Sequence, residues 1–402
     1  MIINGKRALA HTEKVEWVRP IEGADNIELI GVLGWTCIAK IGEFHEGDTC
    51  VYIEIDSKVP EKEWSEFLRP KHFKVKTMKL GKFKVISQGL ALPLAAFDVD
   101  VPNEAGVDVT DLLGITYSVK EDRKRKGNGI DKYQSMAQRR PDIFKRKWAR
   151  WMMRRAWGRR VMFFFFGKKK DNDRKFPTKF EYIKKTDQER VENMPWVLET
   201  DDSFIRTQKC DGSSATYILE RKKKGKNKFE FYVCSRNVRM LDEKQDNFYS
   251  DVMDENPYWE MARKYDIENK LKKYLMDNPN LMYVCWQGEI CGPKIQKNPH
   301  KLKENHLFLF HMITSDVGMW SIMMASIVWE NFGMEHVPIE KELVTLENNM
   351  EDFKLTADGY YDSSVCEGNK KCRREGYVYY KIDDPNFSFK NVSRDYLLRK
   401  GE

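Results

Sequence analysis

At 402 residues the chain is too long for one ordinary domain and points to two or three. Hydrophobic residues at 41% and aromatics at 12%, beside 33% charged residues, are globular values and exclude wholesale disorder. No stretch approaches the run of about 18 apolar residues that a membrane helix needs, and the opening MIINGKRALA lacks the apolar core of a secretory signal. The expectation is a soluble, cytoplasmic monomer. Eight cysteines without a single CxxC exclude a disulfide framework and a zinc ribbon. The equal spacings of Cys285/Cys291 and Cys366/Cys372 match no common zinc knuckle.

Net charge is +8, and its location matters more than its size. From Lys120 to Lys170 nineteen lysines and arginines stand against four acidic residues, so the rest of the chain is net acidic. A field concentrated in this way suggests a polyanion partner, either nucleic acid or an anionic membrane surface.

In chain order, Arg7 to Leu113 reads as short β runs broken by turns. Asn26 to Leu33, Thr36 to Ile41 and Thr49 to Ile55 alternate or run apolar, with breaks at Gly23-Ala-Asp and Gly47-Asp. Such spacing predicts a small barrel or sandwich, and Pro60 with a Trp64/Phe67 stripe predicts an inserted helix between Glu54 and Phe73. The basic segment predicts helix after Pro141, with cations all round the axis and no clean amphipathic face. From Phe176 onward strands mix with helices. Phe229 to Cys234, Leu281 to Trp286 and His306 to Phe310 read as strands, and Glu260 to Met276 as one charged helix.

Lys209-Cys-Asp-Gly212 lies between two predicted strands. A lysine becomes a nucleophile only when its ammonium gives up a proton, which desolvation or nearby positive charge favours. Alone, this tetrapeptide is a weak signal and reads equally as a hairpin turn. What changes the reading is the ordered set that follows: Ser235-Arg236-Asn237 at a strand end, Gly288-Glu-Ile-Cys-Gly-Pro-Lys-Ile-Gln-Lys297, the aromatic run ending at Phe310, Glu375-Gly-Tyr-Val378, and a late Lys390.

In order and spacing these elements resemble the covalent nucleotidyltransferases, specifically the RNA ligases, with the GExxGPxIQK string as the most specific match. Arg19 to Asp25, Gly34-Trp35, Lys40 to Asp48, Glu54 to Ser57, Glu66 to Arg69 and Ser87 to Leu94 resemble the N-terminal OB-fold domain of the Deinococcus-type RNA ligases. Lys184 to Arg190 resembles the lead-in to their catalytic domain. The resemblance implies an α+β chain: an OB-fold β-barrel over residues 1–115, a basic linker or insertion over 116–175, and a nucleotidyltransferase domain over 176–402.

It further implies ATP and Mg²⁺ or Mn²⁺ as cofactors, and RNA with 3′-OH and 5′-phosphate ends as partner, nicked duplex included. Lys209 would attack the ATP α-phosphate, with Asp211 beside it; Arg236 would contact the nucleotide or its phosphates, and Phe310 would stack on adenine. Glu289 and Glu375 would hold the metal, in part through water. The last motif usually carries two lysines and here reads Ser388-Phe389-Lys390, so its phosphate contacts fall to Lys390 or to Lys381. Lys294 stands where the phage enzymes carry glycine. DNA ligases and GTP-dependent capping enzymes, whose OB module follows the catalytic domain, are the alternatives within the superfamily, and a non-catalytic RNA-binding protein is the alternative outside it. Two expectations concern the domains: the nucleotide pocket needs only residues 176–402, and the basic segment is an accessory polyanion-binding element, facing RNA or an anionic membrane, outside the chemistry.

Overall fold

The computed structural model describes residues 1–3, 6–83, 85–117, 143, 146–166, 175–222, 228–240, 256–293, 295–361, 363–367 and 371–400. The barrel is built from β1 (Ala10–Pro20), β2 (Ile27–Val32), β3 (Trp35–Lys40), β4 (Thr49–Ile53) and β5 (Leu90–Pro93), in the sheet order β5-β4-β1-β2-β3. The long first strand makes curling possible. Its first half pairs with β4 from Ala10↔Ile53 to Lys14↔Thr49, and its second half pairs with β2 beyond a register shift between Val15 and Trp17. Ser87 and Gln88, just before β5, reach across to β3: the Gln88 amide donates to Thr36 O at 2.8 Å and the Ile38 amide to Ser87 Oγ at 3.2 Å. Alternation along β3 sends Trp35, Cys37 and Ala39 into the core. The inserted helix expected between Glu54 and Phe73 is present as a 3-10 helix, Glu63–Lys71.

Beyond the barrel, α1 (Lys147–Met153) and α2 (Ala156–Phe166) fall in the basic segment, where helix is expected. Arg139, Arg140 and Pro141, like Lys168 to Lys170, lie outside the described residues.

The C-terminal part holds two antiparallel-rich sheets. One orders Glu189–Arg190, β13 (Ser388–Val392), β12 (Gly376–Lys381), β6 (Ser203–Gln208) and β11 (Ile339–Thr345). The other centres on β8 (Phe229–Ser235), β7 (Ser213–Arg221), β9 (Tyr283–Cys291) and β10 (His306–Thr314), in that order. Helices α3 (Pro257–Lys264) and α4 (Ile267–Asp277) bury Met261, Ile267, Leu271 and Leu275 in its core. The single helix read from Glu260 to Met276 is therefore two. The break falls at Asp266, whose φ of 48° is left-handed and cannot continue an α-helix. Phe176, Phe180 and Ile183, just ahead of the lead-in string, pack with Ile218, Tyr232 and Tyr283 of the same sheet.

Barrel and ligase-like sheets share a core. The C-terminal helix α5 (Arg394–Lys400) contributes Tyr396 and Leu397, with Val392 of β13, to the cluster that holds Trp35, Tyr52 and Ile55 of the barrel. The β2–β3 turn is gripped from both sides: the Gly34 amide donates to Glu192 O at 2.7 Å, and buried Lys354 donates to Gly34 O at 3.0 Å. Trp35 Nε1 donates to Asn193 Oδ1 at 2.6 Å, and the Asn193 amide donates to Glu54 at 2.7 Å. Buried polar groups joined in this way fix the two parts in one arrangement, because separating them leaves several donors and acceptors unsatisfied. Among the described residues no helix is long and apolar enough to cross a membrane.

Candidate active site

Strand β6 ends at Gln208 in one sheet and β7 begins at Ser213 in the other, so Lys209-Cys-Asp-Gly212 carries the chain across the gap between them. The turn is pinned residue by residue. The Lys209 amide donates to Gly376 O at 3.0 Å, and the Asp211 amide donates to His300 Nε2 at 3.1 Å. The Tyr361 hydroxyl donates to Lys209 O at 2.8 Å and accepts from the Glu375 amide at 3.1 Å. Glycine is required at 212 by close approach: a Cβ there would run into Ile290 O and lie 2.9 Å from Cys291 Sγ.

This junction places Lys209 among three carboxylates, those of Glu375, Glu289 and Asp211. Glu375 precedes β12 and its Oε1 lies 2.9 Å from Lys209 Nζ. Glu289 is on β9, paired across the ladder with Ser214. Burial by itself would lower the Lys209 ammonium, but Glu375 and Glu289, with Asp211, outweigh it and hold the group above the ordinary lysine value. A nucleophile made ready by desolvation is thus not what the isolated protein holds; the lysine is clamped in its charged form by the carboxylates. Burial pushes the Glu289 carboxyl up to about 8, partly opposed by Lys209 and reinforced by Glu375 and Asp211. One ammonium among three acids leaves surplus negative charge.

The opposite charge surplus lies elsewhere in the same cavity. Asp187 pairs with Arg236 at 2.7 Å and with Lys390 at 3.3 Å. Burial would raise its carboxyl, but Lys390 and Arg236 outweigh that and bring it down to about 2. Lys390, on β13 opposite Val378, is buried, which lowers its ammonium to about 8 against the pull of Asp187, with Arg190 and Arg7 adding repulsion. Between the two surpluses the cavity measures about 460 Å³, within the range that takes a small molecule. Phe310, Val337, Val378 and Tyr380 give it an apolar wall, and Phe310 stands edge-on to His311 with ring centroids 4.9 Å apart.

Of the residues singled out in the sequence, Lys209, Arg236, Glu289, Phe310, Glu375 and Lys390 all line this one cavity, and Asp211 sits in the turn that forms its edge. Lys381 does not. It is the last residue of β12, paired with Phe204 at the far end of the ladder from Gln208, and its ammonium is bound to Asp202 at 2.8 Å. Lys294 lies outside the described residues. The eight cysteines are all free and buried.

The sequence reading missed several contributors. Arg7, Asp56 and Tyr117 come from the barrel and line the cavity, so residues 176–402 do not form it alone. Tyr396 and Leu397 line it from a helix that also packs on the barrel core. Asp187 and Arg190 stand in the charged string Lys184 to Arg190, which the resemblance marked only as a lead-in. His300 and Tyr361, whose tilted rings lie with centroids 4.5 Å apart behind the lysine turn, carry no local sequence signal at all.

The acidic cluster offers hard oxygen donors in excess of the cation present, which fits Mg²⁺ or Mn²⁺ better than a softer ion. Among the described residues no three such side chains close into a metal cage. That suits an ion held by one or two carboxylates, water and substrate phosphates.

Comparison with known proteins places this geometry. Residues 9–94 match an OB-fold domain family and residues 202–392 match the RNA ligase family. No curated protein matches the sequence. Among solved structures, an apo variant of Naegleria gruberi RNA ligase is 28% identical over 99% of this chain and 100% of that one, with a TM-score of 0.72. A variant of the same enzyme with ATP and Mn is 28% identical over 98% and 100% of the two chains, TM-score 0.71. Another, with AMP and Mn, is 29% identical over 98% and 100%, TM-score 0.71. With its lysine turn at the junction of two sheets, its ordered motifs converging on one cavity and an OB-fold domain in front, the segment 202–392 belongs to the RNA ligase family.

Proposed function

We propose that this chain is an ATP-dependent RNA ligase that joins 3′-OH and 5′-phosphate ends through a lysyl-adenylate on Lys209. The observation that carries the reading is the pairing of opposite charge surpluses in one cavity, with Lys209 in the acidic cluster. A nucleotide with its metal brings the counterion each surplus lacks.

In the first step Lys209 Nζ gives up a proton and attacks the α-phosphorus of ATP; the P–N bond forms, the P–O bond to pyrophosphate breaks, and pyrophosphate leaves. The AMP then passes to the 5′-phosphate oxygen of RNA, and attack by the 3′-OH on that phosphorus expels AMP. Little acid–base work is needed at phosphorus, so positioning and charge neutralisation dominate. Phe310, with Val378 on the same apolar wall, orients the adenine. Lys390 and Arg236 turn from Asp187 toward phosphate oxygens. Glu289 and Glu375 would hold a divalent cation, which when bound supplies charge neutralisation at the phosphates. Carboxylates engaged with such a cation would grip the Lys209 ammonium less, and its proton would be easier to lose. The reading takes the protein as a monomer, with nicked duplex RNA among its substrates.

Incubation with α-labelled ATP and Mg²⁺ or Mn²⁺, followed by denaturing electrophoresis, tests it. The wild type takes up label, and Lys209→Ala takes up none while keeping its fold by circular dichroism. Full labelling of the alanine variant would reject the assignment. Preference for GTP would point to capping chemistry, and absence of labelling in the wild type to a non-catalytic RNA-binding protein. Sealing of a nicked duplex against single-stranded ends then ranks the substrates.

A further inference from the structure

The helical pair α1–α2 belongs to no part of the chemistry above, yet it is built for contact. Between Arg146 and Phe166 the sequence carries seven lysines and arginines and no acidic residue. Its own packing is satisfied by small or apolar groups: Ala149 and Met162 are buried, and Gly158 closes against the Met152 backbone, where a side chain would clash. The large aromatics are left outside. Trp148, Trp151 and Trp157 are 49%, 50% and 54% exposed, and Phe164 and Phe165 are 70% and 68% exposed. Five large aromatics exposed within twenty residues are not the scattered apolar surface of an ordinary soluble domain.

We infer that α1–α2 docks on an anionic phospholipid surface, with Phe164 and Phe165 in the acyl boundary and the arginines among the headgroup phosphates. Two observations favour lipid over single-stranded RNA. Base stacking needs open aromatic faces beside cations, but Trp151 already carries the Arg155 guanidinium 3.8 Å from its ring centroid and meets Trp157 edge-on at 6.1 Å. The exposed Phe164 and Phe165 stand edge-on to each other at 5.3 Å, in a last stretch, Val161 to Phe166, that contains no charged residue. An uncharged stretch ending in exposed phenylalanines suits an acyl boundary, which needs no cation. Cations begin again at Arg160, about 6 Å back along the helix from Phe164, at four residues and about 1.5 Å of rise each. A helix lying in the interface therefore sets its arginines at the headgroup level beside an apolar end. At eleven residues α2 is far too short to span a bilayer, so the contact is one of lying on the surface.

The test is co-sedimentation of the full chain with vesicles of phosphatidylcholine alone or mixed with phosphatidylserine, with and without competing RNA. The chain is expected to sediment with the mixed vesicles only, and to remain bound when RNA is added. Phe164→Ser combined with Phe165→Ser, which keeps every charge, should lower partitioning at least about tenfold. Arg154→Gln combined with Arg155→Gln should lower it about fivefold per cation removed. Both variants should form lysyl-adenylate at the wild-type rate. Release by RNA, together with a phenylalanine variant that binds vesicles as well as the wild type, would overturn the inference in favour of a nucleic-acid surface; failure to sediment with either vesicle would overturn it outright. Loss of adenylation in the wild type would strike the proposed ligase activity and leave this result standing.

Discussion

The two charged regions of the cavity are near mirror images in electrostatics. Around Lys209 three carboxylates share one ammonium; around Asp187 two cations hold one carboxylate, with Arg7 and Arg190 close enough to repel Lys390. In each region the minority charge is clamped by groups that the proposed chemistry needs for something else. The difference teaches where binding energy goes. In the proposed reaction a metal and a triphosphate would each replace an internal ion pair, and the groups released would be the nucleophile on one side and the phosphate contacts on the other.

Removing the acidic side should have the largest effect. Glu289→Ala and Glu375→Ala are each expected to slow lysyl-adenylate formation on the order of a thousandfold at limiting metal, with partial recovery as Mn²⁺ is raised; single-turnover labelling measures it, and rates near wild type in both would make these glutamates structural. On the basic side, Lys390→Ala should cost about a hundredfold, read mainly as weaker ATP dependence in the same assay.

Behind the acidic cluster, Tyr361→Phe removes one hydroxyl that both donates to Lys209 O and accepts from the Glu375 amide. Two hydrogen bonds of about 1 kcal/mol each translate into a fall of roughly thirtyfold in kcat for adenylation with KM for ATP unchanged; a rise in KM alone would show that Tyr361 shapes the nucleotide pocket and does not position the lysine.

Lys390 also sets a pH dependence. Burial brings its ammonium down to about 8, below its value in the unfolded chain, so the unfolded state binds the extra proton between there and the ordinary lysine range. The free protein therefore gains stability as pH rises above about 8, and the cost of burying the charge is fully present below it. Phosphate binding needs the charged form, so ATP affinity should be highest below about 8 and fall above it. Calorimetric titration across that range checks this, and the fall should vanish in Lys390→Met. The smallest effect belongs to Lys381→Ala, expected within about twofold of wild type because its ammonium faces Asp202 and not the cavity.

Much of the site could be read in the sequence because each motif sits at a strand end or a tight turn, where spacing and residue type betray backbone geometry. Lys209, Glu289 and Glu375 illustrate this: each adjoins a strand whose apolar pattern is plain. The choice between Lys381 and Lys390 was not legible, since it depends on register. Lys390 pairs with Val378, three residues and about 10 Å along the strand from Lys381, and no local pattern states which end of a ladder meets a cavity. Asp187, Arg7, Tyr117 and Tyr361 were missed for a related reason. They arrive from the barrel or from connecting segments through tertiary docking, and their sequence neighbours carry no trace of what they face. The same docking explains why residues from Phe176 onward do not make the pocket alone: Arg7, Asp56 and Tyr117 line it from the N-terminal part, and Tyr396 and Leu397 serve both the cavity and the barrel core.

A crossed titration tests the mirrored-charge account most directly: the Mn²⁺ and ATP dependences of lysyl-adenylate formation, measured side by side in Glu289→Gln and Lys390→Met. The expected result is separation, with Glu289→Gln raising the Mn²⁺ requirement at unchanged ATP dependence and Lys390→Met raising the ATP requirement at unchanged Mn²⁺ dependence. Equal shifts of both requirements in both variants would contradict it.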